Sequence, residues 1–246
     1  MKVSIVIPAY NEERFIAGAI KAALAQKYEG EFEVIVVDNG SKDKTAEIAS
    51  SFPITLVKEI RKGSQYARNA GYLKATGDII ANTDADCLPG PDWISKGASL
   101  FKEESTVAVS GPYHYYDNGV IFGAVYLFIH KYVQQITHYI LQKLKLGGTV
   151  MGGNVFIRRT ALEKMGGYDT SLEFYGDDTS TAKRLIKVGT VLYDRNLLVE
   201  ASAKRFQEKG VIRLTLIYLF HFLKIIVKSD KQNLDSSVNP SPSVHQ

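Results

Sequence analysis

Cysteine is almost absent: Cys87 stands alone in 246 residues, which excludes an intrachain disulfide and any cysteine-based zinc site. That usage fits a reducing compartment. No G-x-G-x-x-G follows the first apolar run, so a dinucleotide fold of the usual kind lacks its main signature. No signal peptide opens the chain. Met1-Lys2-Val3-Ser4-Ile5-Val6-Ile7-Pro8 has neither the length nor the flanks of one and reads as a strand. Asn39-Gly40-Ser41 matches the N-glycosylation pattern, but without a secretory leader the match is fortuitous. Neither sign of charge dominates. A formal net charge of +4, without basic stripes interleaved with aromatics, gives no sign of nucleic-acid binding. No run suits a membrane span: 119–129 is too short, and 211–228 is punctuated by Arg213, His221 and Lys224. The histidines have no metal-ligand spacing, and there is no internal repeat.

What is present is a regular alternation. Residues 3–7, 33–37 and 54–57 are β-rich runs, and a fourth run ends at Asp84. Between them, 12–26, 43–51 and 63–75 carry apolar residues at helical spacing. Such alternation with short connections predicts an α/β fold with a largely parallel sheet and helices on both faces. Pro8 is expected to stop the first strand and open a loop. The second half is less regular. A strand is expected at 107–111, an apolar and aromatic stretch over 119–146, and a strand at 155–157. A helix over 177–188, a short strand at 191–193 and an apolar helix over 211–228 follow. The Ser-, Pro- and Asn-rich end has the composition of disordered chain.

The stretch Gly77-Asp78-Ile79-Ile80-Ala81-Asn82-Thr83-Asp84-Ala85-Asp86 carries the strongest chemical signal. Strand alternation puts Asp84 and Asp86 on one side of its carboxyl end, where open α/β sheets bind ligands. Two carboxylates there suit a hard divalent cation, and such a cation suits a diphosphate; two solvated loop carboxylates are the bland alternative. After the first strand, Pro8, Ala9 and Tyr10 offer a surface for a planar ring, while Asn11 with Glu12 and Glu13 also reads as a helix cap. Asp38, at the end of the second strand, can accept from a base N–H or simply form a turn with Asn39-Gly40. Arg68 can meet phosphate or pair with Asp84. Gly152-Gly153-Asn154 precedes a strand, and glycines there let backbone approach a ligand closely.

Five segments occur in order: Ile7-Pro8-Ala9-Tyr10-Asn11-Glu12-Glu13, Val36-Val37-Asp38-Asn39-Gly40-Ser41-Lys42-Asp43, Ala67-Arg68-Asn69-Ala70-Gly71, Asp84-Ala85-Asp86 and Tyr175-Gly176-Asp177-Asp178-Thr179. Together they resemble the family 2 glycosyltransferases, inverting nucleotide-sugar enzymes of the GT-A fold, over roughly residues 1–215. The resemblance implies that Pro8, Ala9, Tyr10 and Glu12 surround the nucleoside, Asp38 reads the base, and Arg68 lies near the phosphates. It implies that Asp84 faces ribose and metal and that Asp86 is the principal ligand of Mg²⁺ or Mn²⁺. Of the pair before the 177–188 helix, Asp178 would be the base and Asp177 would orient it; N-capping is the alternative. The family more often has Glu at the first position. Gly153 and Asn154 would form the floor under donor sugar and acceptor, and Arg205 or Lys209 would close over the diphosphate.

The expected architecture is a GT-A catalytic domain over 1–210, with a nucleotide-binding half to about 110 and an acceptor-binding half over 111–210. An apolar helix (211–230) and a tail (231–246) complete it. The expected reaction is transfer from a nucleoside-diphosphate sugar, uridine favoured, to an acceptor hydroxyl, with lipid-linked and surface-glycan precursors among the acceptors. A sugar-phosphate nucleotidyltransferase would want a glycine- and lysine/arginine-rich loop where Pro8 to Glu13 is acidic; a non-catalytic nucleotide-sugar-binding subunit would not need Asp84, Asp86 and Asp178 intact. The C-terminal helix suits peripheral contact with anionic lipid, a homo-oligomer interface or ordinary core. A cytoplasmic location follows, at the inner face of the membrane if that helix meets lipid.

Overall fold

The structure is a computed structural model that describes residues 1–171 and 176–227. Tyr175 of the fifth motif and the expected tail at 231–246 lie outside the described residues. In chain order the first half comprises β1 (Val3–Ala9), α1 (Ile16–Leu24), β2 (Phe32–Asp38), α2 (Thr45–Ser50), β3 (Thr55–Lys58), α3 (Ser64–Lys74) and β4 (Ile79–Thr83). The second half adds β5 (Cys87–Pro89), α4 (Trp93–Ser99), β6 (Thr106–Ser110), β7 (Tyr113–Tyr115), α5 (Val120–Phe128), a π-helical turn (Ile129–Val133), α6 (Gln134–Lys143) and β8 (Asn154–Arg158). It closes with α7 (Arg159–Met165), α8 (Asp177–Leu185), β9 (Thr190–Tyr193), β10 (Val199–Ala201), α9 (Lys204–Lys209) and α10 (Val211–Val227).

Seven strands form one sheet in the order β3-β2-β1-β4-β8-β6-β9. All neighbours run parallel except β8, which is antiparallel to both β4 and β6. Alternation along the strands builds two cores. Val3, Ile5, Ile7, Val34, Val36, Ile79 and Ala81 face α1, α2 and α4. Val6, Ile35, Val37 and Ile80 face α3, α7 and α8 on the other side. β1, β2 and β4 are buried on both faces and read as continuous apolar runs, whereas the edge strand β3 is only half-buried and shows as a short β-rich run.

Pro8 does not stop β1. Val3 N donates to Glu31 O and Asn39 N to Ala9 O, so odd-numbered residues of β1 bond towards β2. The Pro8 nitrogen faces the other way, where pairing with β4 ended at Val6 and Asn82. No ladder bond is lost there. The first helix also begins later than expected, at Ile16, and has no side-chain cap. Asn11 is instead a left-handed turn residue (φ 54°), with Oδ1 accepting from Lys42 N at 2.8 Å and its own N–H donating to Ser41.

A second, three-stranded sheet orders β5-β10-β7, and its strands are only three residues long. It fastens the loop after β4 to the C-terminal third: Cys87 pairs with Ala201, and Ser202 N donates to Asp86 O at 3.0 Å. Beside it, Tyr115, Phe122, Tyr126, Phe206 and Leu214 form an aromatic cluster that holds α5, α9 and α10 together.

Candidate active site

The carboxyl ends of β1, β2 and β4 open into a cavity of about 1030 Å³ that α8, α9 and α10 complete. Pro8, Ala9, Tyr10 and Glu12 line it, as the sequence predicts, with Asn39, Lys62 and Gly63 beside them. The Tyr10 ring is half open to solvent, and Lys62 Nζ lies 5.6 Å from its centroid. A flat ring with an adjacent cation suits a nucleoside. Asp38 is buried, its Oδ1 accepts from Ser41 N at 3.2 Å, and Asn39 rather than Asp38 lines the cavity. Asn39 is a knot: Nδ2 donates to Glu59 O and Arg61 O, and Oδ1 accepts from Gly63 N. Sequence reasoning missed it, though its place beside Asp38 at a strand end was the available signal.

Arg68 is the hub of the acidic floor. Its Nη2 lies 3.1 Å from Asp84 Oδ1, and its Nη1 lies 3.1 Å from Asp177 Oδ2 and 3.4 Å from Asp178 Oδ1. Burial disfavours its charge, yet Asp84, Asp178 and Asp177 outweigh that and hold it above the ordinary arginine value. So Arg68 does take up its alternative of pairing with Asp84, and it also gathers the acidic pair that comes more than a hundred residues later (|i−j| of 109 for Asp177). Asp177 also accepts from Ser64 Oγ at 2.8 Å. Neither acid caps α8, whose N-terminus has no side-chain cap; both turn into the cavity instead. Asp178 Oδ2 accepts from Gly152 N at 2.9 Å. Enclosure, then the neighbouring Asp177 charge, push Asp178 up to about 7 against the pull of Arg68.

The antiparallel register of β4 and β8 pairs Thr83 with Asn154, which carries Gly153 past Asp84. A Cβ on Gly153 would sit 2.6 Å from Asp84 Oδ2, and one on Gly152 would sit 2.3 Å from both Arg68 Nη2 and Asp178 Oδ1. Glycine is required for this close approach. Asn154 has another role from the one expected. It is fully buried; Oδ1 accepts from Trp93 Nε1, and Nδ2 donates to Pro112 O and Leu197 O. Its hydrogen-bonding capacity is spent on the scaffold, and it does not reach the cavity.

Asp84 and Asp86 lie in the turn after β4 rather than on the strand, yet they still converge: single ligand atoms of Asp84, Asp86 and Cys87 all lie within 4.8 Å of one another. Cys87 fits a metal poorly. Its thiol is buried, and that burial, then Asp86 and Asp84, push it well above the ordinary cysteine value, so it holds its proton. The two carboxylates fit a hard cation such as Mg²⁺ or Mn²⁺. The structure itself marks this as a place for positive charge. Lys204 Nζ forms a close ion pair with Glu12 and stands 3.3 Å from Asp86 Oδ2. Enclosure raises Glu12 and Asp86 alike, with Lys204 the main opposing influence. Arg205 and Lys209 line the same cavity. Burial works against the Arg205 charge, but Tyr218, Asp84 and Asp86 hold it above the ordinary arginine value. Lys204 lies one residue before Arg205, outside the residues that the family resemblance points to, and only the structure brings it to Glu12 and Asp86. His130 lines the cavity too, but burial lowers it to about 4, so it is neutral near pH 7.

This arrangement has known relatives. A sequence model of glycosyl transferase family 2 matches residues 4–166, more than half of the chain. The glycosyltransferase AglE of Haloferax volcanii is 32% identical over 195 residues, covering 76% of this chain and 62% of that one. The chain spans less than two thirds of the length of the curated relatives it matches: 62% of AglE and 47% of the probable glycosyltransferase YdaM of Bacillus subtilis. Among solved structures, the mannosyltransferase PcManGT of Pyrobaculum calidifontis, in complex with GDP-Man and Mn²⁺, has a TM-score of 0.69 at 26% identity, over 93% of this chain and 65% of that one. Glucosyl-3-phosphoglycerate synthase of Mycobacterium tuberculosis, in complex with Mn²⁺, UDP and phosphoglyceric acid, has a TM-score of 0.61 at 21% identity, over 93% and 80%; that likeness bears on the fold alone. With a mostly parallel sheet, helices on both faces and the cavity at the strand ends, the chain belongs to glycosyl transferase family 2 and has the GT-A fold.

Proposed function

We propose that this chain transfers a sugar from a nucleoside-diphosphate sugar to an acceptor hydroxyl by a single, inverting displacement. The observation that carries the reading is the meeting of Asp178 with the Asp84–Asp86 loop in one cavity, through Arg68. The nucleoside rests on Pro8, Ala9 and Tyr10, with Asn39, not the buried Asp38, at the cavity wall beside them. The choice between a uridine and a guanosine donor is read by the nucleotide panel below. Asp86 and Asp84 would hold Mg²⁺ or Mn²⁺ beside the diphosphate, where the cation neutralises charge on the departing phosphate. Lys204, Arg205 and Lys209 supply fixed positive charge to the same oxygens.

Asp178 takes the proton of the acceptor hydroxyl as its oxygen forms the bond to the anomeric carbon and the bond to the diphosphate breaks. Its pKa near the operating pH suits a general base. Arg68 is a positioning residue in this scheme, since it holds Asp178 and Asp177 rather than a phosphate. Asp177, fixed by Ser64 and Arg68, keeps that guanidinium in place. The backbone of Gly152 and Gly153 backs the floor of the cavity, with Gly152 N donating to Asp178 Oδ2 and Gly153 N to Tyr113 Oη. The acceptors proposed for this reading are lipid-linked or surface-glycan precursors. A panel of UDP- and GDP-sugars with Mn²⁺, assayed for nucleotide release and transfer, tests the reading. Asp178→Asn should lower transfer by about 10²–10⁴-fold with donor binding intact; unchanged turnover would remove Asp178 from the mechanism.

A further inference from the structure

Two helices beside the cavity turn apolar faces outward. On α10, Ile212, Leu216, Phe220, Leu223 and Val227 recur at helical spacing and are 50–80% exposed. Leu214 is the one buried residue of that helix. On α5, the π-helical turn and α6, a second stripe runs through Ile121, Val125, Phe128, Tyr132 and Ile136, 46–80% exposed. The wider π turn keeps the fourfold spacing of 128, 132 and 136 on one side. An ordinary surface helix buries such a stripe and presents polar residues to water. These two do the reverse, and they are adjacent. Tyr126 Oη lies 3.1 Å from Thr215 Oγ1, and both helices line the cavity through Tyr126, Ile129, Tyr218 and Phe222.

The charges around the stripes have one sign. No Asp or Glu occurs from 118 to 162 or from 209 to 229, although the chain has 26 acidic residues. Lys131, Lys143 and Lys145 in 118–146, and Lys209, Arg213, Lys224 and Lys228 in 209–229, are the charged residues that remain. Asp117, just before α5, is engaged by Ser202 and Ala203, and Glu208 of α9 stands at the cavity. Two copies meeting through this face would oppose lysine to lysine around its rim, which disfavours a self-complementary pair. An anionic lipid surface complements both features at once: acyl boundary for the stripes and headgroup charge for the basic residues. No helix among the described residues is long and apolar enough to cross a membrane, so the contact is one of lying on the surface.

We propose that α5–α6 and α10 form a membrane-docking face that seats the cavity at the headgroup level of an anionic bilayer. This deepens the glycosyltransferase reading by naming where its acceptor is met, and rests on that reading only for the acceptor. The test is sedimentation of the full chain with vesicles of phosphatidylcholine alone or mixed with phosphatidylglycerol. Binding should be at least about tenfold tighter to the anionic vesicles and weaken with salt. The double variants Phe220→Glu/Leu223→Glu and Phe128→Glu/Ile136→Glu should each lower it by about tenfold or more. Their melting temperature and nucleotide-induced thermal shift should match the parent, since these side chains point away from both cores. Equal affinity for the two vesicle types, or stripe variants that bind like the parent, would overturn the proposal. So would a dimer in sedimentation equilibrium that the same substitutions dissolve. The Asp178→Asn variant should bind vesicles normally, and nucleotide release in vesicle-free solution reports on transfer chemistry independently, so failure of one reading is distinguishable from failure of the other.

Discussion

The role proposed for Asp178 conflicts with its surroundings: a base must be ionised, yet enclosure and the neighbouring Asp177 favour the proton. The resolution is a pKa of about 7. In the free enzyme, kcat/KM should therefore rise with pH to a plateau above about 7. The sign for stability is opposite. A carboxyl raised from 3.8 to about 7 binds a proton more tightly in the native state, so its contribution is full below 3.8 and lost as pH rises through 7. Asp178→Asn should accordingly melt higher than the parent at alkaline pH, with the gap closing in acid; a constant gap in thermal scans would contradict the shift. Lys204 offers a second test. Its ammonium stands at the carboxylate of Asp86, which in the proposed reading a metal ion would also neutralise. Lys204→Met should tighten binding of Mn²⁺ alone by about tenfold, worth roughly 1.4 kcal/mol, while weakening the nucleotide diphosphate. Calorimetry with each ligand separately reads both changes, and weaker Mn²⁺ binding would show that Lys204 supports the site rather than competing for it.

At the level of elements, the loop leading into β8 separates site from scaffold within three residues. Gly152→Ala should leave the fold intact and cut transfer sharply, because the new methyl collides with Arg68 and Asp178. Asn154→Ala should do the reverse. It leaves Trp93 Nε1 and Leu197 O unpaired in the interior and takes one of two donors from Pro112 O, which keeps Val199 N; urea titration should show a loss of about 2–4 kcal/mol. The contrast also shows what was legible in the sequence. Strand–helix alternation to Asp84 could be read, since each run is long enough to show its period, and Asp84, Asp86 and Asp178 do converge. β5, β7 and β10 could not, since three residues carry no period. Pro8 was misread because its effect depends on which neighbour its nitrogen faces, and Asn11 because a turn, not a cap, consumed its side chain. The role of Asn154 was hidden for a similar reason. Its three partners come from three distant segments, and only tertiary structure brings them together.

For the molecule as a whole, a ligand that binds across β1, β2, β4, α8 and α9 engages both halves of the chain, so donor binding should register as global stability. UDP or GDP with Mn²⁺ at a hundred times Kd should add about 2.7 kcal/mol, or roughly 5–10 °C in Tm for a domain of this size. Chelation by EDTA should remove most of that shift; a shift indifferent to metal would argue that the carboxylates of the β4 loop do not ligate it. The second sheet has a consequence for how the chain comes to be active. Residues 199–201 of β10 pair with 87–89, and Ser202 then clasps the carbonyl of Asp86. Synthesis proceeds from the N-terminus, and domains fold as their parts emerge. A growing chain that has reached residue 166, where the family match ends, already has the strands around the nucleotide. It lacks the strand that steadies the Asp84–Asp86 loop. Because 199–202 emerge after Asp178, the nascent protein fastens the loop proposed to hold metal only once the carboxylate proposed as base has already been synthesised.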